Sequence, residues 1–402
     1  MLEILFPASR PVPVDLLVDR LAAEPGPATG DERVRDFLAA FGRRLLRPAL
    51  ARRHPELGSL GFFLRASELT RAVEGLRGEH VRVPRGLVFH VPPANVDTVF
   101  VYSWALSALM GNRNVVRLSP RAGAVSRAIV DTLNETLAGA DPVVAATQRI
   151  VSYDRDDTVT ATLSAACDLR VIWGGDRTVD EIRKHPLAPH ARDLTFPDRS
   201  SFAAVRATAW LCAPRSIRVA TAEGFVNDTY WFDQAACSSP RTVYWVGAPG
   251  DCEAARGDFA ALLAEAVRRA GWTIEPAMAV EKQVGTYGLA AEGHAEFIDD
   301  PTGPATHVGL ATRQAPRRWL GTGTFTHARL DSLTDLVPLV ARRDQTMTHF
   351  GFPRADLEAL ARALGGRGVD RMVPIGGALS FHRVWDGVDL PTEFTRLVTV
   401  TR

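Results

Sequence analysis

The chain has 402 residues, 46% of them hydrophobic, with 47 Lys and Arg against 46 Asp and Glu, so it fits two domains with apolar cores and offers no basic block for nucleic acid. Its four cysteines, Cys167, Cys212, Cys237 and Cys252, lack CxxC or Cys/His spacing, so neither a metal site nor a disulfide framework is expected. No apolar run approaches the ~18 residues of a membrane span, and MLEILFPASRPVPVD lacks the parts of a secretion signal, which makes a cytoplasmic enzyme the expectation.

Residues 1–85 read as a mainly helical lead-in packed on the next domain. Apolar residues recur at helical spacing over Val14–Ala23, Glu32–Arg53 and Leu69–Leu76, with Pro- and Gly-rich joints between. From Gly86 the pattern changes. Strand GLVFHV leads through Pro92-Pro93-Ala94-Asn95 to a helix over Asp97–Met110, strand Asn114–Leu118 and a helix over Ala124–Leu137. Strand Arg149–Tyr153, helix Asp157–Ala166 and strand Leu169–Trp173 come next, then Gly174-Gly175-Asp176 and a helix over Thr178–His185. Such alternation predicts a parallel, doubly wound sheet over residues 86–200, with ligands beyond the carboxyl ends of its strands. Pro93–Asn95, Arg117–Arg121 and Gly174–Arg177 all fall at those ends.

A linker around Arg192–Arg199 leads into a second α/β region, 201–385, opening with strand Ser201–Val205. Phe225–Ala236 is helix-capable, Thr242–Val246 reads as a strand, and Cys-Ser-Ser-Pro-Arg between them forces a turn. Helix Ala254–Ala270, a less regular Thr302–Leu330, helix Leu333–Arg342, strand Thr346–Phe350, helix Arg354–Leu364 and strand Arg371–Pro374 complete it. In the tail, 386–402, Thr392–Thr401 reads equally as a return strand or an arm onto a partner subunit, and a homo-oligomer stays open.

Cys237 sits in that turn, where a thiol can face a cleft and react as its thiolate. A buried cysteine acting as a small hydrophobe is the commoner case. Taken alone, Asn95 is a turn residue after two prolines, and Arg117 and Arg121 are surface residues of an arginine-rich chain. Tyr230, Trp231 and Phe232 read as core more readily than as the lining of an acyl tunnel. His90 reads as a packed strand residue, Gln234 as a brace of the cysteine loop, and the other three cysteines as structural.

The runs HVPPANV, WGGD, FDQAACSSPR and VDRMVPIGGALSFHRVWDG, with Gly111-Asn112 and Arg117-Leu118-Ser119, come in the order and spacing of the aldehyde dehydrogenase superfamily. Within it, Gly86 to Leu390 resembles the LuxC-type acyl-thioester reductases, typified by the fatty-acid reductase of bacterial luminescence. The resemblance implies an aldehyde-dehydrogenase-like α/β fold, with a Rossmann-like cofactor domain and a second α/β catalytic domain. It makes Cys237 the nucleophile and Asn95 the side-chain donor to the oxyanion. It puts Arg117 on the adenosine ribose or its 2′-phosphate, beside Ser119 and Arg121. Pro93, Trp173, Gly174 and Gly175 fall where backbone approaches the cofactor, and Asp176 where it caps a helix. Pro120 stands where NAD-specific relatives carry a glutamate, which implies NADPH rather than NADH. Thr195 stands where aldehyde-oxidising relatives carry the glutamate that activates water. Gly321–Phe325 replaces the glutamate that holds the nicotinamide ribose. The implied reaction is therefore NADPH-dependent reduction of an acyl-CoA or acyl-carrier-protein thioester to an aldehyde through a thioacyl enzyme on Cys237. A CoA-acylating aldehyde dehydrogenase running oxidatively, a cysteine acyltransferase or hydrolase, and a non-enzymatic acyl-binding protein stay open.

Overall fold

The computed structural model describes residues 2–93, 98–314 and 316–401. Two units divide the chain, residues 1–198 with 381–402 and residues 199–380.

In the first unit the strands are β1 (Leu2–Phe6), β2 (Ser9–Val12), β3 (Val81–Pro84), β4 (Leu87–Val91), β5 (Arg113–Leu118), β6 (Gln148–Ser152), β7 (Leu169–Trp173) and β8 (Arg192–Phe196). All but β3 form one sheet in the order β2-β1-β6-β5-β4-β7-β8. From β6 to β8 the neighbours are parallel, and β1 joins β6 antiparallel. Every residue of β4 and β7 is buried. Successive side chains point to opposite faces, so Val88 and Val116 enter a core with helices Glu32–Leu45, Val99–Leu109 and Ala124–Leu137. Phe89 and Val115 enter a second core with helices Val14–Ala23 and Asp157–Ala166. Strands apolar on both faces need helices on both sides, which is the doubly wound solution. From β4 the chain steps to β5 and β6 on one side and later to β7 and β8 on the other. The reversal between β4 and β7 marks where such sheets bind ligands.

Strands β9 (Ser200–Arg206), β10 (Pro240–Val246), β11 (Ala295–Asp299), β12 (Thr306–Leu310), β13 (Thr324–Leu330), β14 (Asp344–Phe350) and β15 (Arg371–Pro374) build the second unit's sheet. Its order is β11-β12-β13-β10-β9-β14-β15, parallel except for β11. Ala203, Val205, Val243 and Trp245 pack with helices Arg215–Thr229 and Pro249–Arg269, while Phe202, Ala204 and Tyr244 pack with helix Arg354–Leu364. The chain then returns to the first unit as β16 (Val384–Trp385), β17 (Val388–Asp389) and β18 (Thr395–Val398), the last paired antiparallel with β3.

Local expectations change at several points. The first residues are not helical but supply β1 and β2. Arg192–Arg199 is not a plain linker, because Arg192–Phe196 is an edge strand too short to show alternation. The helix expected over Leu333–Arg342 is a 3-10 turn, Leu333–Leu336, capped by Ser332 and Asp335. Pro338 lacks the N–H that a continuing helix needs and disfavours helical backbone at Val337. Thr302–Leu330 contains β12 and β13, and Pro276–Ala291 is a helix without a clear apolar stripe to mark it in the sequence. Phe225–Ala236 is not one helix. Helix Arg215–Thr229 stops, and Phe232, Asp233 and Gln234 turn left-handed, at φ 56°, 53° and 55°.

Candidate active site

The cofactor-side candidates share one edge of the first sheet. Because β5, β4 and β7 are parallel neighbours, Arg117, Ser119, Pro93, Trp173, Gly174 and Gly175 all lie at carboxyl ends. Arg117 is half-buried with its guanidinium 4.8 Å from the centroid of the Tyr153 ring, and its Nε is buried with no hydrogen-bond partner among the described residues. Tyr153 directly follows β6, the strand beside β5, and is a site neighbour that the one-dimensional pattern hid. Ser119 Oγ accepts the Arg121 N–H at 3.2 Å in a turn that leaves Arg121 exposed. Trp173 stacks on Phe196 with ring centroids 3.7 Å apart and planes 11° apart. Its Nε1 is likewise buried with no partner among the described residues. Two such N–H donors at one edge of the sheet suit a polar ligand that brings acceptors.

Asp176 departs from its expected role as a helix cap. Gly175 is the N-cap of helix Asp176–Arg183, and Asp176 is its first residue rather than its cap. Asp176 Oδ1 accepts the Asp198 N–H at 3.2 Å, while Asp198 Oδ2 accepts the Asp176 N–H at 3.4 Å. A carboxylate already faces this helix start, so a bare anion gains less there than at an open N-terminus. Asp198 also crowds Gly175, where an added Cβ would come within 2.9 Å of Oδ2. Thr195 is half-buried on β8.

In the second unit Cys237 is half-buried in the turn that precedes β10, at the amino end of that strand. Ser201 Oγ donates to the Cys237 carbonyl at 2.6 Å and accepts the Thr346 N–H at 3.1 Å. The other cysteines differ from it. Burial pushes the Cys167 thiol up to about 12 and raises that of Cys252, while Cys212 is exposed at a helix end. Gln234 is fully buried and does brace the loop. Tyr230 is core, its hydroxyl donating to the Pro304 carbonyl at 2.6 Å. Asn95 lies outside the described residues. His90 is packed, with Nδ1 3.0 Å from Ser103 Oγ, Nε2 2.9 Å from Asn114 Oδ1, and burial holding it down at about 4. Among the described residues no cluster of His, Cys, Asp and Glu is built to hold a metal ion, and no helix is long and apolar enough to cross a membrane.

Residues 41–284, more than half of the chain, match the LuxC family, described as acyl-CoA reductase. The chain belongs to the LuxC family. One curated LuxC-like relative is the long-chain acyl-protein thioester reductase of Aliivibrio fischeri, 26% identical over 166 residues. That match covers 41% of this chain and only 33% of the relative. Solved structures of aldehyde dehydrogenases share the fold. Methylmalonate-semialdehyde dehydrogenase from Oceanimonas doudoroffii superposes with a TM-score of 0.69 at 14% identity, covering 97% of this chain and 90% of that one. Aldehyde dehydrogenase 21 from Physcomitrella patens gives 0.68 at 11% identity, covering 96% and 89%. The chain thus joins membership of the LuxC family to an aldehyde dehydrogenase fold, and Cys237 falls inside the matched segment.

Proposed function

We propose that this LuxC-family chain reduces an acyl thioester, carried by CoA or by an acyl-carrier protein, to an aldehyde through a covalent acyl group on Cys237. The observation that carries the reading is Cys237 itself, half-exposed in a hydrogen-bonded turn inside the family segment, whereas Cys167 and Cys252 are buried and hard to ionise. The Cys237 thiolate attacks the thioester carbonyl, its carbon–sulfur bond forms as the carrier's breaks, and the departing carrier thiolate takes up the proton that the Cys237 thiol gave up on ionising. Asn95 and the Cys237 N–H stabilise the oxyanion in that step, where loss of a donor typically costs ~10²–10³ in rate. Thr195 has no basic group with which to activate water, so the acyl group is held rather than hydrolysed. A reduced nicotinamide, when bound, supplies the hydride that turns a thioacyl group into an aldehyde. Arg117 and Arg121 are assigned to the 2′-phosphate of NADPH, a role that guanidinium donors suit. Ser119 shapes the turn between them, while Pro93, Trp173, Gly174 and Gly175 line the same edge.

Intact mass spectrometry tests the proposal. After exposure to a panel of acyl-CoA and acyl-carrier-protein donors, the protein should gain one acyl mass, and NADPH should then discharge it as an aldehyde. Cys237→Ala should gain none. Acylation or turnover at the normal level in that variant would end the proposal.

A further inference from the structure

We infer that Gln234 is a positioning residue for Cys237, holding the nucleophile turn in register with the glycine loop 321–324. The inference rests on the reading of Cys237 as the nucleophile. Three consecutive residues with side chains, Phe232, Asp233 and Gln234, occupy the left-handed region at φ 56°, 53° and 55°. Single residues visit that region at a cost, and a run of them persists only where the surroundings over-determine it. Here the restraint is visible. Gln234 Nε2 donates to the Pro240 carbonyl at 2.9 Å and to the Thr324 carbonyl at 3.2 Å, while Oε1 accepts the Gly323 N–H at 2.9 Å. The bond to Pro240 closes residues 234–240 into a ring with Cys237 at its middle. The other two bonds fasten that ring to β13 and the loop before it. Asp233 adds a second weld, its carbonyl accepting from Trp319 Nε1 at 3.1 Å and from Thr322 Oγ1 at 3.2 Å.

The loop that receives these bonds is itself fixed. Gly323 has φ 70°, and an added Cβ would lie 2.1 Å from the Pro304 carbonyl oxygen. Lys282 is wholly buried, and its Nζ donates to the Gly303 carbonyl at 2.6 Å. A side chain that bonds three backbone groups of two segments, in an unfavourable backbone state, sets where the next turn of chain can go.

Gln234→Met keeps the length and removes all of these bonds. Misplacing a reacting group by about 1 Å costs up to ~10²-fold in an oriented reaction. Acylation of Cys237 by a thioester should therefore fall at least ~10-fold. Alkylation of Cys237 by iodoacetamide needs only the thiolate and should stay within about 2-fold, read by peptide mass. Thr322→Val, a milder change that loses one bond to the turn, should show the same split at about 3-fold. If both rates fall together, or neither changes while the circular dichroism stays native, the positioning role is wrong. If the unaltered protein is alkylated at Cys237 but accepts no acyl group from any donor, the proposed function fails instead and takes this role with it.

Discussion

Arg117 has its guanidinium laid over one ring, and its Nε meets no acceptor among the described residues. A charge-assisted bond to a phosphate is worth about 1.5–3 kcal/mol. Arg117→Ala should therefore raise the KM for NADPH by roughly 10–100-fold and leave that for NADH little changed. Steady-state kinetics with both nucleotides checks this, and an unchanged preference would remove the 2′-phosphate from Arg117. At this scale the residues that declare themselves in the sequence do so by chemical type and by place in a turn, as Cys237 and Gln234 do. Tyr153 and Asp198 do not, because each meets its partner across a strand pair or a loop. Arg117 is many residues from Tyr153, and only the parallel register of β5 with β6 brings them together.

Helices show the same division of information. Ala124–Leu137, Asp157–Ala166 and Arg354–Leu364 were legible to the residue, because each buries one apolar face and exposes the other. Arg215–Thr229 was missed in its first turns, and its stop before Cys237 depends on bonds from residues 319–324 that no local pattern carries. Two helical glycines give a test at this scale. An added Cβ at Gly257 meets nothing within 4 Å, so Gly257→Ala should stabilise by about 0.5–1 kcal/mol through helix propensity. Gly224 lies against another backbone, its added Cβ 3.0 Å from the Gly376 Cα. There the same gain meets an overpacking cost of about 1–3 kcal/mol, so Gly224→Ala should destabilise. Chemical denaturation of the two variants should shift the midpoint in opposite directions, and shifts of the same sign would refute the packing argument.

For the whole molecule, buried ionisable groups set the response to pH. Burial holds His90 and His307 down at about 4 and His327 well below its ordinary value, with His307 Nδ1 and His327 Nε2 2.8 Å apart. Below about pH 6.5 the unfolded chain takes up protons that these rings refuse, so stability falls as pH drops towards 4. Asp228 acts in the opposite sense. Burial pushes its carboxyl up to about 7 against the N–H groups of Gly376 and Ala378 that it accepts, so its protonation adds stability as pH falls through 7. His90 alone costs roughly 2 kcal/mol at pH 5, and the three rings outweigh the one carboxyl. The Tm should therefore drop between pH 7.5 and 5, with a shallower slope in His90→Gln; a flat or rising Tm would contradict this balance. The sequence alone determined the alternation of strands and helices, the parallel sheets it implies and the candidate thiol, since these come from local periodicity and residue chemistry. Strand order, the reversal between β4 and β7, the carboxylate facing the Gly175 helix and the weld behind Cys237 were decided only by tertiary structure. Each of these depends on which distant backbone groups meet, and in a sheet that is fixed by register between strands far apart in the chain.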